Sequence, residues 1–255
     1  MIDCGSLEFA QARLQARHGQ RAGDAAWQRL ETAREFGALL EVARRTVLRP
    51  WLVGIGTPGS AHQIEAALRT HWRKAVAEIA GWMPVAWQPA VLWCTALADL
   101  PVLQHLARGG EPLPWMLDDP DLRTLCAAPP GQRAATVAAG RFAPLAVAWS
   151  EPASLAPAWH AAWQRRLPVR TQDAEDSLNQ VASALLAHGR AFAAAPPGTG
   201  ALLRRALQAR LSLLLRRTTL EPAAVFIHVA LCALDFERLR GELLRRALFP
   251  KGQVA

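Results

Sequence analysis

Between Pro222 and Phe249 the chain reads PAAVFIHVALCALDFERLRGELLRRALF. Val225, Val229, Cys232, Phe236, Leu239, Leu243 and Ala247 recur at steps of three and four residues. A helix with this stripe is apolar along one face for its whole length and has to be packed along all of it. Its first half is apolar all round, which predicts a place in the middle of the fold. Its second half brings in Asp235, Glu237, Arg238, Arg240, Glu242, Arg245 and Arg246, and is expected to be exposed on one side. Pro222 suits a first helical turn, and Pro250 and Gly252 are expected to stop the helix.

The rest of the chain supplies helical neighbours. Leu7 to Arg17 and Ala25 to Arg49 are rich in Ala, Leu, Arg, Glu and Gln, all good helix formers, with Gly19, Gly23 and Asp24 separating them. In the second stretch Trp27, Leu30, Ala33, Phe36 or Gly37, Leu40 and Arg44 keep the helical step, and Pro50 closes it. Ile64 to Ile79 carries Leu68, Trp72, Val76 and Ile79 on one side. Ala90 to Leu106 is apolar enough for a buried helix. Gly109 to Pro157 is loop-like, with only short helices between Pro-rich stretches. Helix resumes at Ala158 to Arg166, Thr171 to Ala194 and Leu202 to Arg217. No alternating or β-branched run reads as a strand. The expected fold class is all-α, one domain over residues 1–255.

The segment VGIGTPGSAHQIEAALR holds a G-x-G-x-x-G at Gly54, Gly56 and Gly59. Such a motif cradles a pyrophosphate only between a strand and a helix of a βαβ unit. Only Trp51 to Val53 separate it from Pro50, too little chain for a central strand. It reads as a helix-to-helix loop, with Ser60 as N-cap of the next helix.

Charge is lopsided: 29 Lys and Arg against 21 Asp and Glu, a net +8, with Lys74 and Lys251 the only lysines. Guanidinium groups suit carboxylate or phosphate partners. Cys4, Cys94, Cys126 and Cys232 lie far apart with no C-x-x-C, so reduced thiols and no zinc are expected. The seven histidines are scattered without H-x-x-x-H, and no other metal site is expected. Asp118, Asp119 and Asp121 lack the spacing of a calcium loop and read as a capped, solvated turn. His228 reads as a core histidine bonded to a neighbour. No nucleophile motif is present, so no catalytic residue and no cofactor are assigned. The N-terminus lacks a signal-peptide pattern, and the apolar run Ala223 to Leu234 is shorter than the roughly 20 residues a bilayer needs.

One pattern occurs twice. ALRTHW, a Pro and then LADLPVLQHL (residues 67–106) parallels ALQARL, Pro222 and then ALDFERLRGELL (residues 206–244). Each leads from a basic helix into an apolar one that contains Asp-Φ-x-x-Leu, at Asp99 and at Asp235. A weaker third copy, WHAAWQRRLP followed by AEDSLNQVASALL, has Asp176 in that place. The repeats span residues 61–110, 150–195 (weak) and 200–250.

These features, with the opening EFAQARLQARHGQRAGDAAWQRLETAREFGALLEVARRTVLRPWL, resemble the C-type stalk subunit of V/A-type (vacuolar/archaeal-type) ATPases, called d in the eukaryotic enzyme. The resemblance covers roughly Leu7 to Gly110 and Gly200 to Phe249. It implies a funnel-shaped, non-catalytic helical protein. Members of that family sit on the cytoplasmic face of the membrane rotor ring, as a socket for the central stalk, in ion transport. They bind no nucleotide and meet the membrane only through their partners, the proteolipid ring and the other stalk proteins.

The arginine pairs have two readings of their own. One is a solvated face whose aliphatic stems cover core. The other is a docking surface for an acidic protein, with Arg204, Arg205, Arg216, Arg217, Arg238, Arg240, Arg245 and Arg246 as candidates. A basic scaffold that binds nucleic acid is the alternative function. Against it, the tryptophans sit at core spacing and not among the arginines.

Overall fold

The computed structural model describes residues 4–196 and 198–249, with side chains from residue 7 onward. Among them the chain is helical throughout and holds no strand, as the periodicity predicts. In chain order the helices are α1 (Cys4–Gly19), α2 (Asp24–Thr32), α3 (Phe36–Arg44), α4 (Ala61–Trp82), α5 (Gln88–Trp93) and α6 (Leu100–Ala107). Short helices α7 (Pro114–Asp118), α8 (Arg123–Ala127) and α9 (Arg133–Ala139) follow. Then come α10 (Leu155–Gln164), α11 (Gln172–Ala194), α12 (Gly200–Arg217) and α13 (Ala223–Leu248), with 3-10 turns in many of the connections. The expected stop at Pro250 and Gly252 lies outside the described residues.

The axis is α13. Helices α4 and α12 lie along it, and α1, α3 and α11 cover its other sides. Every residue from Ala223 to Val229 is buried, as an all-round apolar surface requires. Further along, Phe236 sits between the rings of Trp51 and Trp72, with centroids 6.0 and 5.8 Å away. Phe226 meets Trp163 edge-on at 5.0 Å. Such pairs add about 0.5–1.5 kcal/mol each beyond the area they bury. Trp72 Nε1 donates to the carbonyls of Cys94 and Thr95, so this indole is buried without an orphaned donor. The buried apolar side chains form one continuous cluster that runs from Leu7 to Leu243.

Helix α4 starts where the sequence says it should. Ser60 Oγ accepts from the Gln63 amide at 3.1 Å and the Gln63 side chain reaches back to the Ser60 amide, a capping box. The glycine loop before it follows a 3-10 turn, Arg49–Leu52, and no strand precedes it. Gly54 has φ +86°, a left-handed conformation that favours glycine. A Cβ at Gly59 would lie 2.2 Å from the Phe36 ring, so this glycine serves helix packing.

Two expected helices are each broken. Residues 25–49 form α2 and α3, separated at Ala33–Glu35 although all three residues there favour helix. The stretch 90–106 is interrupted by the 3-10 turn Cys94–Ala98, and the chain bends by 55° at Asp99 before α6. Pro101, in the first turn of α6, is compatible with a new start but not with a continuing helix. No single helix among the described residues is long and apolar enough to cross a membrane.

Candidate functional site

Helix α4 carries Glu65, Arg69 and Arg73 at four-residue steps, one position along from its apolar stripe of Ile64, Leu68, Trp72 and Val76. That placement leaves the charged row at the edge of the core, where neighbouring elements cover it. Arg73 donates to Asp99 at 3.0 Å and to Asp119 at 2.9 Å, and its Nε lies 2.8 Å from Asp121. Arg69 pairs with Glu65, approaches Asp99 at 3.8 Å and covers the Trp115 ring at 4.2 Å. Arg240 of α13 completes the row by donating twice to Glu65, at 2.9 and 2.6 Å. Asp121 also pairs with Arg141. This network joins α4, the start of α6, the α7–α8 turn and α13.

Burial and charge compete within it. Asp99 has no exposed surface, and burial pushes its carboxyl up to about 6 against the pull of Arg73 and Arg69. Its Oδ2 has no hydrogen-bond partner. Burial also pushes Glu65 upward, but hydrogen bonds from Arg240 and the charge of Arg69 outweigh it, leaving this carboxyl below its usual range. Asp119 is buried, takes the Arg73 bond and accepts the Asp121 amide at 2.9 Å. The expected solvated turn is therefore corrected: Asp119 is a buried anchor, because α4 brings a guanidinium over it.

The second aspartate of the repeated pattern sits in a similar clasp. Asp235, on α13, is buried and receives Arg21 in a two-point bond at 2.7 and 2.8 Å. Burial raises its carboxyl, and Arg21 opposes that. Asp176, in the weak third copy, is exposed and accepts only from Gln172 on its own helix. So the pattern marks a buried arginine-held aspartate twice and a surface residue once.

The eight candidate arginines divide. Arg246 is buried and reaches back to α2, donating to the carbonyls of Leu30, Glu31 and Ala33 at 3.1, 3.1 and 2.6 Å. It also pairs with Glu242 at 2.6 Å. Arg238 pairs with Glu31 at 2.6 Å over the Trp27 ring, and Arg240 is held by Glu65. These three are committed inside the molecule, a correction to the expectation that the polar half of α13 forms an open docking face. The reason is that α2 and α4 carry the matching carbonyls and carboxylates. Arg205, Arg216 and Arg217 are exposed on α12, while half-buried Arg204 stacks on Phe192 at 5.7 Å. Arg245 is exposed and bonds Glu242 at 3.0 Å.

Comparison with family models, with curated proteins and with solved structures finds no match. The chemistry of the remaining groups is set by burial. His228 is a core histidine with Nε2 3.6 Å from Cys232 Sγ, and burial, with Arg21 and His18 nearby, lowers it to about 3. Burial pushes the thiols of Cys94 and Cys232 up to about 12, which disfavours the thiolate needed for nucleophilic or redox chemistry. No cluster of three or more His, Cys, Asp or Glu side chains among the described residues is placed to hold a metal ion. The glycine loop borders an open depression of about 460 Å³ with Arg44 and Arg49 at its rim. Arg44 is tied to the Ile55 carbonyl at 3.0 Å and to Glu41 at 3.2 Å.

Sequence reasoning missed Arg21, Glu65, Arg69 and Arg73. The signal was present for three of them: a Glu-x-x-x-Arg-x-x-x-Arg row directly beside an apolar stripe. Arg21, in the link after α1, gave none.

Proposed function

We propose that this chain is a non-catalytic stalk subunit of a V/A-type rotary ATPase. In this reading it is seated on the cytoplasmic face of the membrane rotor ring and couples that ring to the central axle. The observation that carries the reading is the pair of buried, arginine-held aspartates at Asp99 and Asp235. They occupy matching places in the two sequence stretches that resemble the C-type stalk family. A part that passes torque between ring and axle has to resist shear, and α13 is tied to its neighbours by directional bonds at four points. Arg21 holds Asp235, Arg238 holds Glu31, Arg240 holds Glu65 and Arg246 holds the end of α2. The weak copy of the repeat is reduced, so the socket is a trimmed one. Exposed Arg205, Arg216 and Arg217 on α12, with Arg245, form the docking face for acidic partner proteins. Charge there steers the encounter, and apolar contacts supply affinity.

Reversing Arg205 and Arg216 together to Glu tests the docking face. Association with the membrane complex should weaken at least about tenfold through loss of electrostatic complementarity. The unfolding free energy in urea should change by less than about 1 kcal/mol, because exposed charges contribute little to stability. Tight retention of DNA or RNA with a steep salt dependence, alongside undiminished membrane association of the variant, would refute it in favour of nucleic-acid binding.

A further inference from the structure

The hairpin of α11 and α12 outruns the core. On α11 the buried residues are Ala174, Leu178, Val181 and Ala184, and on α12 they are Leu207, Leu211 and Leu215. Beyond these, the last turns of α11 (residues 185–194) and the first turns of α12 (residues 200–206) contain no buried side chain. Leu185, Leu186, Phe192 and Leu202 are exposed there, Leu202 to 69%. On α11 exposure covers every side but that of half-buried His188: Leu185, Leu186, Ala187, Arg190, Ala191, Phe192, Ala193 and Ala194 are all exposed. The charge is of one sign. From Ser177 to Leu220 the chain has six arginines and no Asp or Glu. Arg190 is exposed and makes no ion pair among the described residues, and Arg204 lies over Phe192.

We propose that this tip enters the headgroup region of an anionic lipid bilayer. The occupant follows from two features together. Acid-free, arginine-bearing surface is complementary to a negative partner, and each basic residue at an anionic membrane gains about fivefold in partitioning. A folded protein partner covers one face of a helix, whereas this helix end exposes apolar side chains over most of its circumference. A fluid interface surrounds what enters it, and Leu, Phe and Arg are the residues that interfacial helices use. Arg190 and Arg204 sit beside the apolar side chains, as headgroup contacts require, with aliphatic stems long enough to follow the tip inward. The contact is direct, in addition to any seating on a rotor ring, and does not rest on the rotary reading.

Flotation of the purified full chain with vesicles tests it. The protein should rise with phosphatidylcholine vesicles that contain phosphatidylserine and remain behind with phosphatidylcholine alone. Arg190→Glu with Arg204→Glu should cut partitioning at least about twentyfold. Leu186→Gln with Phe192→Gln should cut it about tenfold while leaving every charge in place. Both double variants should keep the wild-type helical spectrum, since the tip contributes nothing to the core. Failure of the wild type to float with anionic vesicles would overturn the proposal. So would equal binding of wild type and L186Q/F192Q to immobilised polyglutamate combined with undiminished flotation of that variant, which would assign the arginines to an acidic protein surface.

Discussion

Asp99 and His228 are both buried titratable groups, and they bias stability in opposite directions with pH. For Asp99 the folded carboxyl titrates near 6, above its ordinary 3.8, so the folded state holds the proton more tightly. Its contribution is present below the ordinary value and is lost as pH rises through 6. His228 is lowered to about 3 from 6.5, so the unfolded chain takes the proton first, and stability falls as pH drops from 6.5. His18, His160 and His188 are lowered as well, chiefly by burial, and act in the same sense. His228→Leu should flatten the acid loss by about 1.4 kcal/mol per pH unit below 6.5, measured by urea unfolding across pH. An unchanged slope would mean that the folded state protonates His228 freely. Asp99→Asn, which removes the charge that burial opposes, should abolish the Asp99 loss of stability between pH 3.8 and about 6, read by urea unfolding across pH. Asp176→Asn, at the exposed third position, should change the unfolding free energy by less than about 1 kcal/mol.

At the scale of elements, the helices were legible where their signals are local. Ser60 with Gln63 starts α4, and the three-to-four stripe of α13 is buried from Val225 to Leu243 except at half-buried Cys232. The break between α2 and α3 was not legible, because nothing in Ala33, Arg34 or Glu35 ends a helix. It coincides with the guanidinium of Arg246, more than two hundred residues away, which donates to the carbonyls at the end of α2 as a basic side chain can at a helix C-terminus. Arg246→Met should therefore cost about 2–3 kcal/mol by unsatisfying buried carbonyls and should speed amide exchange at the end of α2. Arg245→Met, at an exposed neighbouring position, should cost less than about 1 kcal/mol. Equal effects would show that Arg246 is no clasp. The bend at Asp99 was readable in principle from Pro101, which a continuing helix does not accommodate, whereas α3 ends at Arg44, ahead of the Pro50 expected to close it.

For the molecule as a whole, hydrophobic periodicity carries the architecture: an apolar helix has to be surrounded, and five helices surround α13. The charged clasps were visible only in part, since an aspartate in a helical pattern looks alike whether a distant arginine covers it or water does. Asp99 and Asp235 differ from Asp176 in that respect alone, and the difference lies in Arg73 and Arg21. The same ambiguity made Arg238, Arg240 and Arg246 look like surface, when α2 and α4 hold them. Of the eight candidate arginines, those left exposed lie on α12 and at Arg245, and the hairpin tip next to α12 is cationic as well. The body is proposed as a socket in a rotary ATPase, and purification of the tagged protein from detergent-solubilised membranes of its native cell puts that to the sharpest test. A proteolipid ring and central-stalk proteins should come with it, in fixed ratio, and survive moderate salt. Recovery of the protein without any ring or stalk component, from membranes in which an assembled rotary V/A-type ATPase is demonstrably present, would contradict the proposal.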